Sequence, residues 1–186
     1  MTLFRAILAD PPWADVPPGG RPSNRDTWFG QGHTISIPKL LAASVPAADD
    51  SLLFLWCRNG NTPTGLDILK AWGFKYINHM IWVKITGSNK PLLGMGGSYL
   101  RNSHELLLIG RRGTIPRRTM DIPSVLMAPR SSIGGEKPKG VYDIIERIVD
   151  GPYLELFARE RRPGWSAYGN EIESDVIIPE WIEATT

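Results

Sequence analysis

Cysteine is almost missing from this chain: its 186 residues include one, Cys57. A single thiol closes no internal disulfide, and no Cys/His spacing suggests a zinc site. No stretch approaches 18 consecutive apolar residues, so no membrane-spanning helix is expected. The opening MTLFRAILADPP lacks the layout of a signal peptide, because its apolar run is short and ends in Asp-Pro-Pro. These absences favour a cytoplasmic protein. Charge of one sign is not in excess either: 21 Lys and Arg against 19 Asp and Glu leave +2, too little to announce nucleic acid by itself. Internal repeats and low-complexity tracts are also lacking. What remains is a globular composition, 42% hydrophobic and 22% charged, enough for one core. The expectation is a single domain over residues 1–186, with its core at about 4–172 and a surface tail from 173 onward.

Apolar runs of strand length alternate with helical patterns. Strands are expected at 4–9, 51–57, 76–84, 104–113, 122–129, 153–159 and 164–172. Helices are expected at 36–45, after a Ser cap, at 62–74, stopped by Gly73, and at 137–149, with Pro138 near its start. Several strands are apolar throughout, as befits burial on both faces. The pattern predicts an α/β fold of three layers, helices on both faces of a mostly parallel sheet. In such sheets ligands gather beyond the carboxyl ends of the strands. The segments there are DPPW (10–13), CRNGN (57–61), the 85–103 loop and ARERR (158–162). The 14–34 stretch, rich in Pro, Gly and polar residues, reads as a long loop of the kind that is functional or disordered, and the glycines of 94–99 as a mobile lid.

The DPPW corner has a chemical reading. Asp10 follows the first strand, so its carboxylate stands at the binding edge. Pro11 and Pro12 are conformationally restricted and leave carbonyl groups as acceptors. Trp13 adds a flat aromatic face. Acceptors beside an aromatic plane suit a planar ring carrying an amine, and base stacking on such a face contributes roughly 1–3 kcal/mol. The plainer alternative is a rigid turn with a half-buried tryptophan. Two basic groups, Arg111, Arg112, Arg117 and Arg118, then Arg159, Arg161 and Arg162, read either as solvated surface or as phosphate contacts.

Six separated blocks extend the argument: ILADPPW, LLFLWCRN, AWGFKYINHMIWVK, YLRNSHELLLIGRRG, KPKGVYDIIERI and LELFARERRPGWSAYGNE. In this order and spacing the chain resembles the MT-A70 adenine methyltransferases. The resemblance implies a Rossmann-like methyltransferase fold with a permuted motif order. It also implies S-adenosylmethionine as cofactor and the N6 amine of adenine as methyl acceptor. It makes Asp10, Pro11, Pro12 and Trp13 the catalytic motif. Lys137 would lie near the methionine part of the cofactor, Glu155 at its ribose hydroxyls with Arg159 in support, and Asn170 and Glu171 at its ribose and adenine. His104 and Glu105 would order the pocket. No metal is implied.

The nucleic acid expected is DNA ahead of RNA, by analogy of size with stand-alone enzymes of the family. Arg111, Arg112, Arg117 and Arg118, with the 14–34 loop, are the candidates for holding the strand. RNA methylation, or a methyltransferase-like subunit that binds nucleic acid without turnover, are the alternatives. Since relatives often pair, a homodimer or paired subunit belongs to the expectation.

Overall fold

The computed structural model describes residues 2–12, 35–94, 99–131 and 135–181. Seven strands form one sheet, in the order β5-β3-β4-β2-β1-β6-β7. They are β1 (Phe4–Ala9), β2 (Ala47–Cys57), β3 (Lys75–Ile85), β4 (His104–Arg112), β5 (Val125–Pro129), β6 (Tyr153–Leu156) and β7 (Trp165–Tyr168). Three helices flank them: α1 (Ile37–Ala42), α2 (Thr62–Ala71) and α3 (Gly140–Ile148).

The unbroken apolar runs of β1 and β2 are explained by two-sided burial. Ile7, Ala9, Leu53, Leu55 and Cys57 pack toward Leu40 of α1 and Ile68 and Leu69 of α2. The alternate residues Ala6, Leu8, Leu52, Phe54 and Trp56 pack toward Val141 and Ile145 of α3. With strand side chains alternating between faces, each central strand must be apolar at nearly every position, and three layers result. The fold is the Rossmann-like α/β arrangement.

Local chemistry sets the helix limits. Ser36 caps α1, its hydroxyl oxygen accepting from the Lys39 N–H at 3.4 Å. The helix stops at Ala42 and not near 45, because Ala43 is already extended and Pro46 disfavours helical Val45. α2 ends at Ala71, short of the 74 expected, but the stop is the one expected, with Gly73 at φ +80 and the Phe74 N–H reaching the Leu69 carbonyl at 2.8 Å. α3 starts at Gly140, later than expected. Pro138 holds Lys137 out of helical conformation, so Lys137 precedes the helix and its side chain is free to turn toward the sheet.

Strand direction is the feature that organises the rest. β1 is parallel to β2 and β6, β6 to β7, and β3 to β5, while β4 is antiparallel to both β2 and β3. Six strands therefore end at one edge of the sheet, and β4 begins there. The carboxyl edge thus gathers the residues after six strands and the first residues of the seventh.

The segment after Ser174 departs from the surface tail expected. Ile178 and Trp181 are buried in the α1/α2 core. The Trp181 ring lies 4.7 Å from that of Phe157, 5.4 Å from Tyr168 and 5.8 Å from Trp72. The run 176–178 and Trp181 are too short a pattern to show a helical or strand period, yet Ile178 and Trp181 are buried and Val176 packs against them. No helix among the described residues is long and apolar enough to cross a membrane.

Candidate active site

β1 delivers Asp10 to the carboxyl edge. Its N–H donates to the Leu156 carbonyl at the end of β6, at 3.4 Å, which ties the corner to the neighbouring strand. Pro11 is buried. The Pro12 carbonyl accepts from the Ile35 N–H at 3.2 Å. Trp13 and the 14–34 loop lie outside the described residues, as do 95–98 of the expected lid.

Four charges of alternating sign line the edge from β1 toward β3. The Lys137 Nζ lies 2.6 Å from Asp10 Oδ2 and 3.5 Å from Glu105 Oε2. Glu105 in turn receives the Lys84 Nζ at 2.5 Å. Lys137 also donates to the Gly135 carbonyl at 3.0 Å. The side chains of Lys84, Lys137 and Glu105 are only 16%, 16% and 13% exposed. Each ammonium sits near an indole, Lys84 5.0 Å from the Trp82 ring and Lys137 5.8 Å from the Trp56 ring.

Burial disfavours the charged forms of Asp10, Glu105 and Lys137, and the pairing decides the direction in which each is shifted. For Glu105, two ammonium groups outweigh burial and hold its carboxyl below the usual range. For Lys137, two carboxylates outweigh burial and raise it. For Asp10 burial prevails: its carboxyl is pushed up, Lys137 offsetting only part of the effect.

On the other side of β1, Glu155 projects from β6 and accepts from the Tyr142 hydroxyl of α3 at 2.9 Å. Burial, helped by the charges of Asp10 and Glu160, lifts the Glu155 carboxyl to about 7 despite that hydrogen bond. β6 stops at Leu156 because Phe157 adopts φ +68, which turns the chain so that Arg159 meets Glu171, Nε to Oε1 at 3.2 Å. Gly169 makes this possible: a Cβ there would lie 1.9 Å from the Ala158 carbonyl oxygen.

These groups surround one cavity of about 260 Å³. Asp10, Lys137, Glu155, Arg159 and Glu171 are in its walls, with Trp56, Val141 and Tyr142 as its apolar and aromatic side. It opens beside β1, where the strand order turns from β2 on one side to β6 on the other, the usual place for a ligand in an open α/β sheet. The indole N–H of Trp56 is buried without a partner among the described residues. Asn170 is exposed next to Glu171 and is not part of the wall.

The family model described as MT-A70 matches residues 4–171. The chain belongs to the MT-A70 family. It is similar to a fruit fly protein (Drosophila melanogaster) named N(6)-adenosine-methyltransferase MT-A70-like protein, 32% identical over 96% of this chain and 29% of that one. It is also similar to the human N(6)-adenosine-methyltransferase catalytic subunit METTL3, 28% identical over 91% of this chain and 28% of that protein. The human N(6)-adenine-specific methyltransferase METTL4 is likewise 28% identical, over 91% of this chain and 37% of its own. The chain thus spans well under half the length of these curated relatives.

Within this MT-A70 chain, the structure brings together Asp10, Lys137, Glu155, Arg159 and Glu171. It does not bring the Arg111–Arg118 group to them. Because β4 runs against its neighbours, it carries Arg111 and Arg112 to the opposite edge. Arg111 pairs with Leu52 on β2, about 13 Å along the strand from the level of Trp56. The Arg112 guanidinium is built into the fold, donating to the Trp72 carbonyl at 2.5 Å and the Ala47 carbonyl at 3.2 Å, above the Phe74 ring. Arg118 pairs with Asp150, and Arg117 contacts the Met120 sulfur at 3.7 Å. In the second basic group, Arg161 binds Asp175 and Arg162 binds Asp143.

Sequence reasoning passed over Lys84, Trp56 and Tyr142. A charge closing an apolar strand was the available signal for Lys84. Nothing in the residue pattern singled out Trp56 or Tyr142, whose roles depend on a helix and a strand far apart in sequence.

Proposed function

We propose that this chain is an S-adenosylmethionine-dependent methyltransferase acting on the N6 amine of adenine in DNA. The observation that carries the reading is the shared cavity: the first corner, with Asp10, and the late turn, with Glu171, face each other across it. Family membership and the printed names of the relatives support adenine N6 as the acceptor.

The residues present fit the cofactor. Lys137 offers an ammonium to a carboxylate. Glu155, oriented by Tyr142, offers oxygens to ribose hydroxyls. Glu171 completes the polar wall, and the Trp56 N–H, unpartnered among the described residues, is a buried donor in need of an acceptor. When bound, the cofactor supplies a methyl group activated by a sulfonium.

The chain's own contribution is to prepare the nucleophile. An exocyclic adenine nitrogen is a weak nucleophile because its lone pair is delocalised into the ring. Asp10 and the Pro11 carbonyl accept its two N–H groups, which favours the pyramidal nitrogen of the transition state and localises that lone pair. Buried acceptors held in place before the reaction stabilise developing charge without reorganisation. Trp13 stacks on the base. For a duplex, the adenine must leave the helix at a cost of about a few kcal/mol.

For the polymer we take DNA, by analogy of size with stand-alone enzymes of the family; the relatives' names give adenine or adenosine and no polymer. Relatives named as subunits support an assembly of paired chains, checked by sedimentation. Transfer of tritium from labelled S-adenosylmethionine to matched single-stranded DNA, duplex DNA and RNA tests the proposal, followed by digestion to nucleosides. N6-methyladenine in the DNA digest is the expected result. Label confined to RNA would reassign the polymer, and label on any other nucleoside would reject the reading.

A further inference from the structure

The proposed function needs a surface that holds the strand, and the arginines of the far edge do not reach the cavity. A second cavity does. It lies between the end of β5 and the start of α3, has a volume of about 320 Å³, and is walled by Arg130, Ser131, Glu136, Lys137 and Lys139 among others. Glu136, Lys137 and Lys139 also wall the first cavity, so the two are neighbours across one partition. Since β5 is parallel to β3, Arg130 follows it at the same sheet edge as Asp10.

We propose that this second cavity is a phosphate subsite, in which Arg130 binds a phosphodiester flanking the target adenine. The cations around it differ in how fully they are neutralised. Lys137 is held by Asp10 and Glu105. Lys139 lies 2.7 Å from Glu160 and 3.9 Å from Glu136. Glu136 is further occupied by the Ser131 hydroxyl. Arg130 is exposed and has no ion pair or hydrogen bond with any described residue. The two lysines of this wall are engaged by Asp10, Glu105, Glu136 and Glu160, and its unneutralised member is a guanidinium, whose planar fork matches two phosphate oxygens. A strand whose base enters beside Asp10 passes this point, because the partition between the cavities carries Lys137, the residue that touches Asp10.

This inference rests on the proposed nucleic-acid substrate, and the experiment separates the two. Anisotropy of a fluorescein-labelled single-stranded oligodeoxynucleotide containing one adenine is measured at several salt concentrations. The proteins compared are wild type, Arg130→Ala, Arg130→Lys and, as a control from the opposite edge, Arg111→Ala. Arg130→Ala is expected to weaken binding about 3- to 10-fold at low salt. It should also reduce the slope of log K against log salt by about 0.7, the value for one phosphate of a single strand. Arg130→Lys should recover part of the affinity, and Arg111→Ala should match wild type. Replacing the flanking phosphates one at a time by neutral methylphosphonates should weaken wild type at one position, where Arg130→Ala shows no further loss. Calorimetry with S-adenosylhomocysteine should give equal affinities for all four proteins. Wild-type affinity and slope in Arg130→Ala, with methyl transfer intact, would overturn the subsite and leave the enzyme standing. A wild-type protein that neither binds the oligonucleotide nor transfers methyl would overturn both.

Discussion

The two edges of the sheet both carry charged side chains, and they use them differently. At the edge opposite the cavity, Arg112 donates to two backbone carbonyls, and Arg118 pairs with Asp150 in an exposed contact. These groups hold segments together. At the carboxyl edge, Lys84, Glu105, Lys137 and Asp10 form a mostly buried chain of alternating charge that borders a cavity. A buried network of this kind is a poor stabiliser compared with apolar packing. Its presence at a strand switch point is better explained by what it holds ready. The lesson is that charge density does not mark the site. Burial beside a cavity does.

Four substitutions sharpen that contrast, and the first should have the largest effect. Asp10→Ala removes an acceptor from the proposed amine-binding pair. Methyl transfer should fall more than about 10³-fold, equivalent to about 4 kcal/mol in the barrier, while circular dichroism shows an intact fold. Near-normal turnover would remove Asp10 from the mechanism. Glu105→Ala leaves two buried ammonium groups without their shared carboxylate, and urea unfolding should show a loss of about 3 kcal/mol. A change below about 0.5 kcal/mol would mean that water already screens the network.

Arg112→Ala tests the other edge. Losing two hydrogen bonds from a charged donor should cost about 2 kcal/mol in thermal or urea unfolding, with transfer per folded molecule unchanged. If this variant lost transfer as completely as Asp10→Ala, the division between the edges would fail.

The smallest effect concerns pH. Glu155 keeps its proton in the folded state until about 7, whereas the unfolded chain releases it near the ordinary 4.5. Between those values the native state binds more protons than the unfolded one, so stability declines as pH rises and then levels off. Partial exposure limits the decline from this group to about 1–2 kcal/mol. Glu155→Gln should flatten that part of the stability profile, and an unchanged slope would place the ordinary carboxyl range at this position.

Much of the fold was legible because its signals are local. The run 4–9 reads as a buried strand from composition alone, and Gly73 marks the stop of α2 by its tolerance of positive φ. The corner at Asp10 was legible for the same reason, since an acid after a buried strand and before two prolines has few other places to be. Lys137 was expected to open a helix, and the structure places it in the cavity wall beside Asp10 but ahead of the helix. Pro138 delays the helix, and the lysine reaches Asp10 from a segment ahead of it. The burial of Trp181 was not legible because the short apolar run before it, 176–178, is broken by Pro179 and Glu180 and shows no period. Glu105 and Arg111 sit in the same strand block, and nothing local distinguished the charge that meets Lys137 from the one carried to the far edge.

By itself the sequence determined the alternation of strands and helices, the chemistry offered by the first corner and the family. Those depend on short-range patterns and on motifs whose order along the chain can be read directly. Only the tertiary structure decided which charges meet. The antiparallel pairing of β4 with β2 and β3 brings Glu105 to Lys137 and sends Arg111 to the far edge. Strand direction is set by partners dozens of residues away, through hydrogen bonds and packing that no local window contains.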